Sequence, residues 1–167
     1  MATSGSGRAY FVRRATLADT DAILFVWRET AEMLARGDSR YRLAPNAAEC
    51  WQADLQNWLK RDDLAVFVAE STLKPGHVLG YIVGSVVSNI PTLKPGNYGY
   101  VSDLAVDSHG KAGGIGRSLF DALKGWFRER GVTHVEARVP VRHAIAQAFW
   151  RALGASELFE QMWLKLE

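Results

Sequence analysis

A glycine-rich segment that joins a strand pattern to a helix pattern constrains this chain more than any other feature. Residues 111–118 read KAGGIGRS, and residues 98–107, YGYVSDLAVD, have the apolar and β-branched character of a strand. After the glycines, apolar side chains recur at helical spacing. Glycines let several backbone N–H groups line one concavity in front of a helix N-terminus, and this geometry binds phosphate. The sequence therefore predicts a strand, a phosphate-binding loop and a helix in succession.

Two other phosphate-binding loops share this composition but differ in spacing. A P-loop ends in Gly-Lys-Ser/Thr, whereas this segment reads GIGRS, so the P-loop is excluded. A dinucleotide fingerprint needs a third glycine where Leu119 follows Gly116, although Glu136 does lie about 20 residues further on. Too little chain remains for a doubly wound sheet. The dinucleotide interpretation is therefore the weaker alternative.

The remaining hydrophobic patterns predict one α+β domain. The predicted strands lie at residues 10–14, 64–70, 78–88, 98–107, 132–139 and 159–166, and the predicted helices end near residues 36, 59, 131 and 153. This order is typical of a central mixed, mostly antiparallel sheet flanked by about four helices. We expect residues 8–167 to form this domain and residues 1–7 to be a flexible tail. Cys50 is expected in the core.

Composition and charge argue against several classes of function. The 20 basic and 18 acidic residues are interleaved and leave a net charge of +2, so a concentrated basic face for nucleic acid is not expected. The most apolar stretch, at 78–87, is shorter than the roughly 20 residues of a membrane span. A single cysteine favours a reducing, cytoplasmic setting. The four histidines lack zinc-ligand spacing, so no metal is predicted.

Two spaced motifs resemble the GNAT superfamily of N-acetyltransferases over residues 98–155. The family's first motif is Arg or Gln, two residues, Gly, one residue, then Gly or Ala, and here Lys111 takes the Arg or Gln position. Its second motif has Asn, Ala, Tyr and Gly at fixed spacing, followed by an apolar residue. The matching positions in this chain are Lys111, Gly114 and Gly116, and then His143, Ala146, Trp150, Gly154 and Ala155.

The resemblance implies acetyl-CoA as cosubstrate. In the family, the strand before the glycine loop splays from its neighbour, so that its backbone pairs with pantetheine and the thioester. The backbone N–H of Val106 would then donate to the acetyl carbonyl oxygen. The positions expected to bind the cosubstrate are Leu104, Ala105, Val106, Lys111, Ala112, Gly113, Gly114, Ile115, Gly116, Arg117, Ser118, His143, Ala146 and Trp150. For His143, helix capping is an equal alternative.

The catalytic groups implied by the resemblance are only partly present. Several relatives carry an acidic residue at the position of Asp103, which is the candidate general base, with Glu70 and Glu136 as weaker alternatives. The family's usual general acid is a Tyr, and Trp150 stands in its place. A thiolate is a fair leaving group with a pKa near 8.5, so solvent can protonate it. Tyr98 and Tyr100 are the possible substitutes.

The resemblance implies transfer of acetyl to a primary amine of a small molecule, amino acid or peptide by direct attack. We expect the acceptor pocket between the first two helices, and the predicted acceptor-binding residues are Trp27, Glu32, Tyr41 and Tyr100. By analogy with relatives, the apolar last strand predicts a possible homodimer. The alternative function, motivated by Trp150, is a non-catalytic acyl-CoA-binding module.

Overall fold

The computed structural model describes residues 9–108 and 113–166. One five-stranded sheet has the order β1-β2-β3-β4-β5, in which the first four strands are antiparallel and β5 is parallel to β4. The strands are β1 Tyr10–Arg14, β2 Leu64–Ser71, β3 Val78–Ser88, β4 Asn97–Val106 and β5 Val135–Ala137, and the helices are α1 Thr20–Gly37, α2 Ala47–Trp58, α3 Ile115–Arg128 and α4 Ala144–Ala152. The predicted α+β fold with a mixed sheet and four helices is confirmed.

Helices pack against both faces of the sheet. The apolar stripe of α3 includes Leu119, Leu123 and Phe127, all buried against one face. On the opposite face, Ile23 and Val26 of α1 and Leu55 of α2 are buried in a second cluster. Burial of large apolar side chains contributes roughly 1.5–3 kcal/mol each, so these two layers hold the sheet from both sides.

Glycine in the sheet lets α3 approach closely. A Cβ on Gly84 would lie 2.6 Å from a methyl of Leu123, and one on Gly99 would lie 2.8 Å from the ring of Phe127. Both distances are shorter than any real contact. Because Gly84 and Gly99 have no side chains, α3 can pack this closely against the sheet. The packing of α3 also determines the position of the glycines at its N-terminus.

The strands β4 and β5 pair over only three residues. Gly99, Tyr100 and Val101 pair with the three residues of β5, while residues 102–106 of β4 have no partner on that edge among the residues that the structure describes. The sheet is therefore open beside the second half of β4. This opening agrees with the splay that the sequence resemblance implies. It lies beside the start of α3, since a Cβ on Gly80, the partner of Val106, would be 3.3 Å from the Cα of Val106 and 3.2 Å from a methyl of Ile115.

Three expectations from the sequence are wrong. The predicted strand at 132–139 is limited to residues 135–137, and residues 159–166 form neither strand nor helix. Alternating apolar residues make a strand only where a neighbouring strand offers hydrogen bonds, and the described chain offers none to 159–166. Cys50 is exposed rather than buried, because the inward face of α2 is taken by Leu55 and the partly buried Trp51 and Trp58.

Two features are absent from the residues that the structure describes. None of the helices there is both long and apolar enough to cross a membrane. Within the same ranges, 9–108 and 113–166, no group of three or more His, Cys, Asp or Glu side chains is placed to hold a metal ion.

Candidate active site

The open edge of β4 presents the backbone of two residues. The amide of Asp107 donates to the carbonyl of Leu79 on β3 at 2.9 Å, and Ala105 lies opposite Tyr81. Because N–H and C=O groups alternate sides along an antiparallel strand, the groups of Ala105 face β3 while those of Leu104 and Val106 face the opening. Of these three predicted residues, Leu104 and Val106 are therefore the ones with backbone groups available to a bound molecule.

The N-terminus of α3 offers a second set of donors beside this edge. Gly114 precedes the helix with φ +83°, a left-handed conformation that favours glycine, and the amide of Ser118 makes the first helical bond to its carbonyl, at 3.0 Å. The amides of Ile115, Gly116 and Arg117 therefore point out of the helix end. The first turn contains no acidic residue, so its partial positive charge is available to an anion. The predicted Lys111 and Ala112 lie outside the described residues.

Tyr10 contacts this turn through its hydroxyl group, an interaction that the sequence pattern does not predict. Its buried phenol oxygen lies 3.0 Å from the hydroxyl of Ser118 and 3.5 Å from the carbonyl of Gly113. Tyr10 stands on β1, more than 100 residues away along the chain, so only the sheet brings it here. The side chain of Arg117, another predicted ligand, is exposed and lies 3.5 Å from Asp121 one turn further on.

A β-bulge determines which way the candidate base points. Asp103 pairs with Val83 and Val101 pairs with Gly84, so Ser102 is an extra residue in β4. Val101 belongs to the cluster under α3, whereas Ala105 belongs to the cluster under α1 and α2. Since side chains alternate between faces, the extra residue moves Asp103 onto the face of Ala105. Without the bulge, Asp103 would point toward α3.

Burial raises the pKa of the Asp103 carboxyl, and hydrogen bonding by Ser102 and Trp51 acts in the opposite direction. A carboxylate with a raised pKa is a better proton acceptor than an ordinary Asp. The raised pKa thus agrees with the role of general base predicted for this residue. Glu70, a weaker alternative, accepts from the amide of Gly76 and from Arg13, and these bonds lower its pKa. It is therefore a weaker base than Asp103.

Aromatic side chains surround Asp103 on this face. Trp51 stacks on Trp27, with ring centroids 5.1 Å apart, and meets Tyr81 edge-on at 5.6 Å. Burial, and then the charge of Asp103, raise the pKa of Tyr81. Burial also raises the pKa of Tyr100, which the alternation of β4 places on this face. The structure therefore brings together two of the predicted site residues, Tyr100 and Asp103.

A cleft between α1 and the start of α2 contains two of the predicted acceptor residues. Its volume is about 210 Å³, and its wall includes Trp27 and Glu32. The other lining residues are Arg28, Leu43, Ala44, Pro45, Ala47 and Ala48. Tyr41 is exposed and does not line it. Trp27 contributes to the cleft wall and also stacks on Trp51, but neither Trp51 nor Asp103 lines the cleft.

The second motif, from His143 to Ala155, forms α4 and both of its ends. The Nδ1 atom of His143 accepts from the amide of Ala146 at 3.2 Å, so His143 caps the helix, as one of its two predicted roles requires. The ring of Trp150 packs edge-on against Phe120 and Phe149, with centroids 5.3 Å and 5.5 Å away. Trp150 therefore links α4 to α3, and an indole N–H does not supply a proton as a phenol does.

Several solved structures share this fold, and some of them are of acetyltransferases. The BH1408 protein of Bacillus halodurans superimposes with a TM-score of 0.83 at 23% identity, covering 93% of this chain and 99% of that one. A predicted acetyltransferase of Clostridium acetobutylicum, solved with acetyl-CoA, gives 0.72 at 16% identity, covering 95% and 96%. An aminoglycoside acetyltransferase from an uncultured soil metagenomic sample, solved with sisomicin, gives 0.68 at 21% identity, covering 95% and 97%.

Sequence comparison assigns the family independently of these structures. No curated protein matches the chain closely enough to count as a relative. The sequence profile of the Acetyltransferase (GNAT) family matches residues 24–155, which include most of α1, all of α2, the open edge of β4 and the glycine turn before α3. The chain belongs to the GNAT acetyltransferase family.

Proposed function

We propose that this protein transfers an acetyl group from acetyl-CoA to a primary amine of a small molecule, amino acid or peptide. The observation that carries the proposal is the open edge of β4, where the backbone groups of Leu104 and Val106 lead into the glycine turn at Gly114. A Cβ at Gly114 would strain its positive φ, and the turn's free amides suit a diphosphate. The residues present therefore fit acetyl-CoA.

The chain's own groups divide the work of transfer. Acetyl-CoA supplies a thioester, whose C–S bond breaks as the amine nitrogen forms a C–N bond to the carbonyl carbon. Val106 donates its backbone N–H to the carbonyl oxygen, where negative charge develops. Asp103, directly or through water, accepts the proton that the amine loses. The thiolate takes a proton from solvent, consistent with a thiol pKa near 8.5.

The wider comparisons support this proposal at the level of reaction class. The solved relatives include proteins in complex with acetyl-CoA or with an aminoglycoside. Aminoglycosides are therefore one acceptor class to test, together with amino acids, peptides and simple amines. The proposal also includes a cytoplasmic location, from the single cysteine, and a homodimer, from the exposed apolar side chains near the C-terminus.

One observation favours a second function. Trp150 occupies the position of the family's usual proton donor and is packed between Phe120 and Phe149. A chain that kept the CoA site and lost the donor would be a non-catalytic acyl-CoA-binding module. The two functions differ in whether thiol is released.

Thiol release from acetyl-CoA separates the two functions. We expect purified protein to bind CoA in a calorimetric titration and to release thiol above background with at least one amine of a mixed panel. Matched reactions without amine give the hydrolysis background. Binding of CoA with no thiol release across the whole panel would favour the binding module.

A further inference from the structure

The face of the sheet that carries Asp103 continues from β4 onto β5. Tyr100 of β4 pairs with Glu136 of β5, and Arg138 follows directly after the last residue of β5. Ala137 packs in the cluster under α3, which covers the opposite face. Because neighbours alternate between faces, Glu136 and Arg138 are placed on the face of Tyr100 and Asp103. Arg138 therefore stands on the side of the candidate base, where β4 and β5 separate.

Two opposite charges act on the hydroxyl of Tyr100. Burial raises the pKa of this phenol, the positive charge of Arg138 lowers it, and the negative charge of Asp103 raises it, in that order of size. Interactions between charges weaken with distance, so the phenol lies close enough to both groups to feel them. This agrees with the placement from strand register. Arg138, Tyr100 and Asp103 therefore form one cluster on this face.

Arg138 and Tyr100 present hydrogen-bond donors that the described part of the chain does not use. Among residues 9–108 and 113–166, neither the guanidinium of Arg138 nor the hydroxyl of Tyr100 forms a hydrogen bond or an ion pair. Arg138 is exposed and Tyr100 is half-buried, so a ligand can reach both. The carboxylate of Glu136, on the same face, lies 3.7 Å from a ring nitrogen of His134 instead. Neighbouring donors of this kind, one permanently charged, match a carboxylate.

The spacing of these groups matches a short amino acid. Tyr100 and Asp103 are separated along β4 by two residues, one of which is the bulged Ser102, so their Cα atoms are roughly 7–10 Å apart. An amino acid bound between them would span about 9 Å, from two hydrogen bonds of about 3 Å and about 3 Å between its own charged ends. An aminoglycoside or a polyamine has no carboxylate to place beside Arg138.

We propose that the acceptor is a free amino acid, whose carboxylate is bound by Arg138 and Tyr100 while its amine faces Asp103. This inference rests on the proposed acetyltransferase function, since it names the acceptor of that reaction. The ammonium of the amino acid first loses one proton to solvent. Its nitrogen then forms the C–N bond, the C–S bond of the thioester breaks, and a second proton goes from nitrogen to Asp103. The thiolate of CoA takes a proton from solvent.

Initial rates with matched acids and amides test the proposal. The probes are glycine, alanine, methionine and phenylalanine, each compared with its own amide, in which a neutral group of similar size replaces the carboxylate. For the amino acid with the highest kcat/KM, we expect that value to exceed the value for its amide by about tenfold or more, as charge-assisted hydrogen bonds allow. Spermine is the cationic comparison. Equal or faster acetylation of the amides, or of spermine, would overturn the proposal.

Variants show whether Arg138 causes the preference. Arg138→Ala is expected to lower kcat/KM about tenfold or more for the acid and less than about twofold for the amide, while Arg138→Lys keeps part of the preference. Tyr100→Phe keeps the ring and should lower the value for the acid about threefold to tenfold. Arg128→Ala is the control, because Arg128 is an exposed arginine of α3, on the other side of the sheet. A merely structural role of Arg138 would lower both values equally, and that result would contradict the proposal.

Binding distinguishes failure of this inference from failure of the proposed function. The N-acetyl forms of the four amino acids and of their amides are titrated into the CoA-loaded protein in a calorimeter, where no turnover is needed. Tighter binding of the acids, lost in Arg138→Ala, together with no thiol release from acetyl-CoA, would support the carboxylate subsite and reject catalysis. Equal binding of acids and amides, or no binding of either, would reject the subsite, whether or not an amine is acetylated.

Discussion

At the scale of single residues, neighbouring atoms determine the chemistry of the Asp103 carboxyl and the His143 imidazole. Asp103 is an ordinary strand residue in sequence, but burial raises the pKa of its carboxyl and makes it a better proton acceptor than an exposed Asp. His143 has a structural contact instead. Its Nδ1 accepts a hydrogen bond from the amide of Ala146 and so caps the N-terminus of α4. Sequence matching found both positions. It left the role of His143 open, because only backbone geometry shows which atom the imidazole faces.

Asp103→Asn is expected to lower kcat/KM by about 10²-fold or more, since a positioned general base contributes about 10²–10⁴-fold. The wild-type enzyme should lose activity on the acid side as Asp103 is protonated, and the variant should lack this acid limb. The measurement is the pH dependence of kcat/KM for both proteins. An unchanged profile in Asp103→Asn would remove this residue from the mechanism.

The same substitution should raise stability at neutral pH. A carboxyl whose pKa is raised by folding contributes stability that is present below its unfolded pKa, near 3.8, and lost as pH rises through the folded pKa. Asp103→Asn avoids this loss, so its melting temperature should exceed that of wild type at pH 7 and approach it at pH 4. Thermal unfolding followed at both pH values checks this, and a lower melting temperature at pH 7 would argue against a desolvated carboxylate.

Tyr10→Phe is expected to weaken CoA binding through the glycine turn. The variant removes the phenol oxygen that lies 3.0 Å from the Ser118 hydroxyl while keeping the buried ring. A hydrogen bond of this kind contributes about 1 kcal/mol, which corresponds to about fivefold in Kd if it orders the turn. Calorimetric titration of CoA into Tyr10→Phe, Ser118→Ala and the double variant measures the coupling. Additive effects would show that the pair does not act as a unit.

At the scale of elements, the proposed acetyl-CoA site lies where β4 separates from β5 and where α3 begins. The sequence predicted both strands and the helix, and the resemblance predicted the splay. The bulge at Ser102 was not predictable, because it is a property of the register between β3 and β4 rather than of either strand alone. The strand at 159–166 was predicted wrongly for a related reason. Alternating apolar residues indicate a preference for β-strand. The strand forms only where another strand pairs with it, and the sequence pattern does not identify that partner.

Substitutions at two glycines test how closely α3 packs against the sheet. Gly99→Ala places a methyl 2.8 Å from the ring of Phe127, so we expect a loss of about 1–3 kcal/mol in the free energy of unfolding and weaker CoA binding. Gly125→Ala, within α3, meets nothing within 4 Å and should stabilise by about 0.5–1 kcal/mol. Denaturant unfolding of both variants measures the contrast. A neutral Gly99→Ala would show that α3 moves away at little cost.

At the scale of the whole molecule, one fold class accounts for the sheet, the four helices and the family profile over residues 24–155. The proposed acetyl-CoA site uses backbone groups, whose positions depend on topology, so a motif that reports the topology also predicts the cosubstrate. The acceptor depends on side chains, which the fold does not specify. The sequence therefore predicts the acceptor only as a primary amine.

The C-terminal segment makes a prediction about assembly. Large apolar side chains there are 61–82% exposed, and they are Leu158, Phe159, Met162, Trp163, Leu164 and Leu166. Patches of this kind on soluble proteins mark contact surfaces, so we expect a dimer of twice the 18.5 kDa chain mass. Light scattering after size exclusion measures this mass, with a chain ending at Glu157 as the control that should be monomeric. A monomer at all concentrations of the full chain would contradict the dimer.

Transfer of a labelled acetyl group distinguishes direct attack by the amine from a covalent enzyme intermediate and from binding of CoA alone. Acetyl-CoA labelled with ¹³C at the acetyl carbonyl is incubated with protein and each amine of the panel in turn, and both the amine and the quenched protein are examined by mass spectrometry. Direct attack at the open edge of β4 predicts label in the amide product, none on the protein, and a rate that falls in Asp103→Asn. CoA bound with no label in any of the panel amines, or label attached to the protein, would contradict the account.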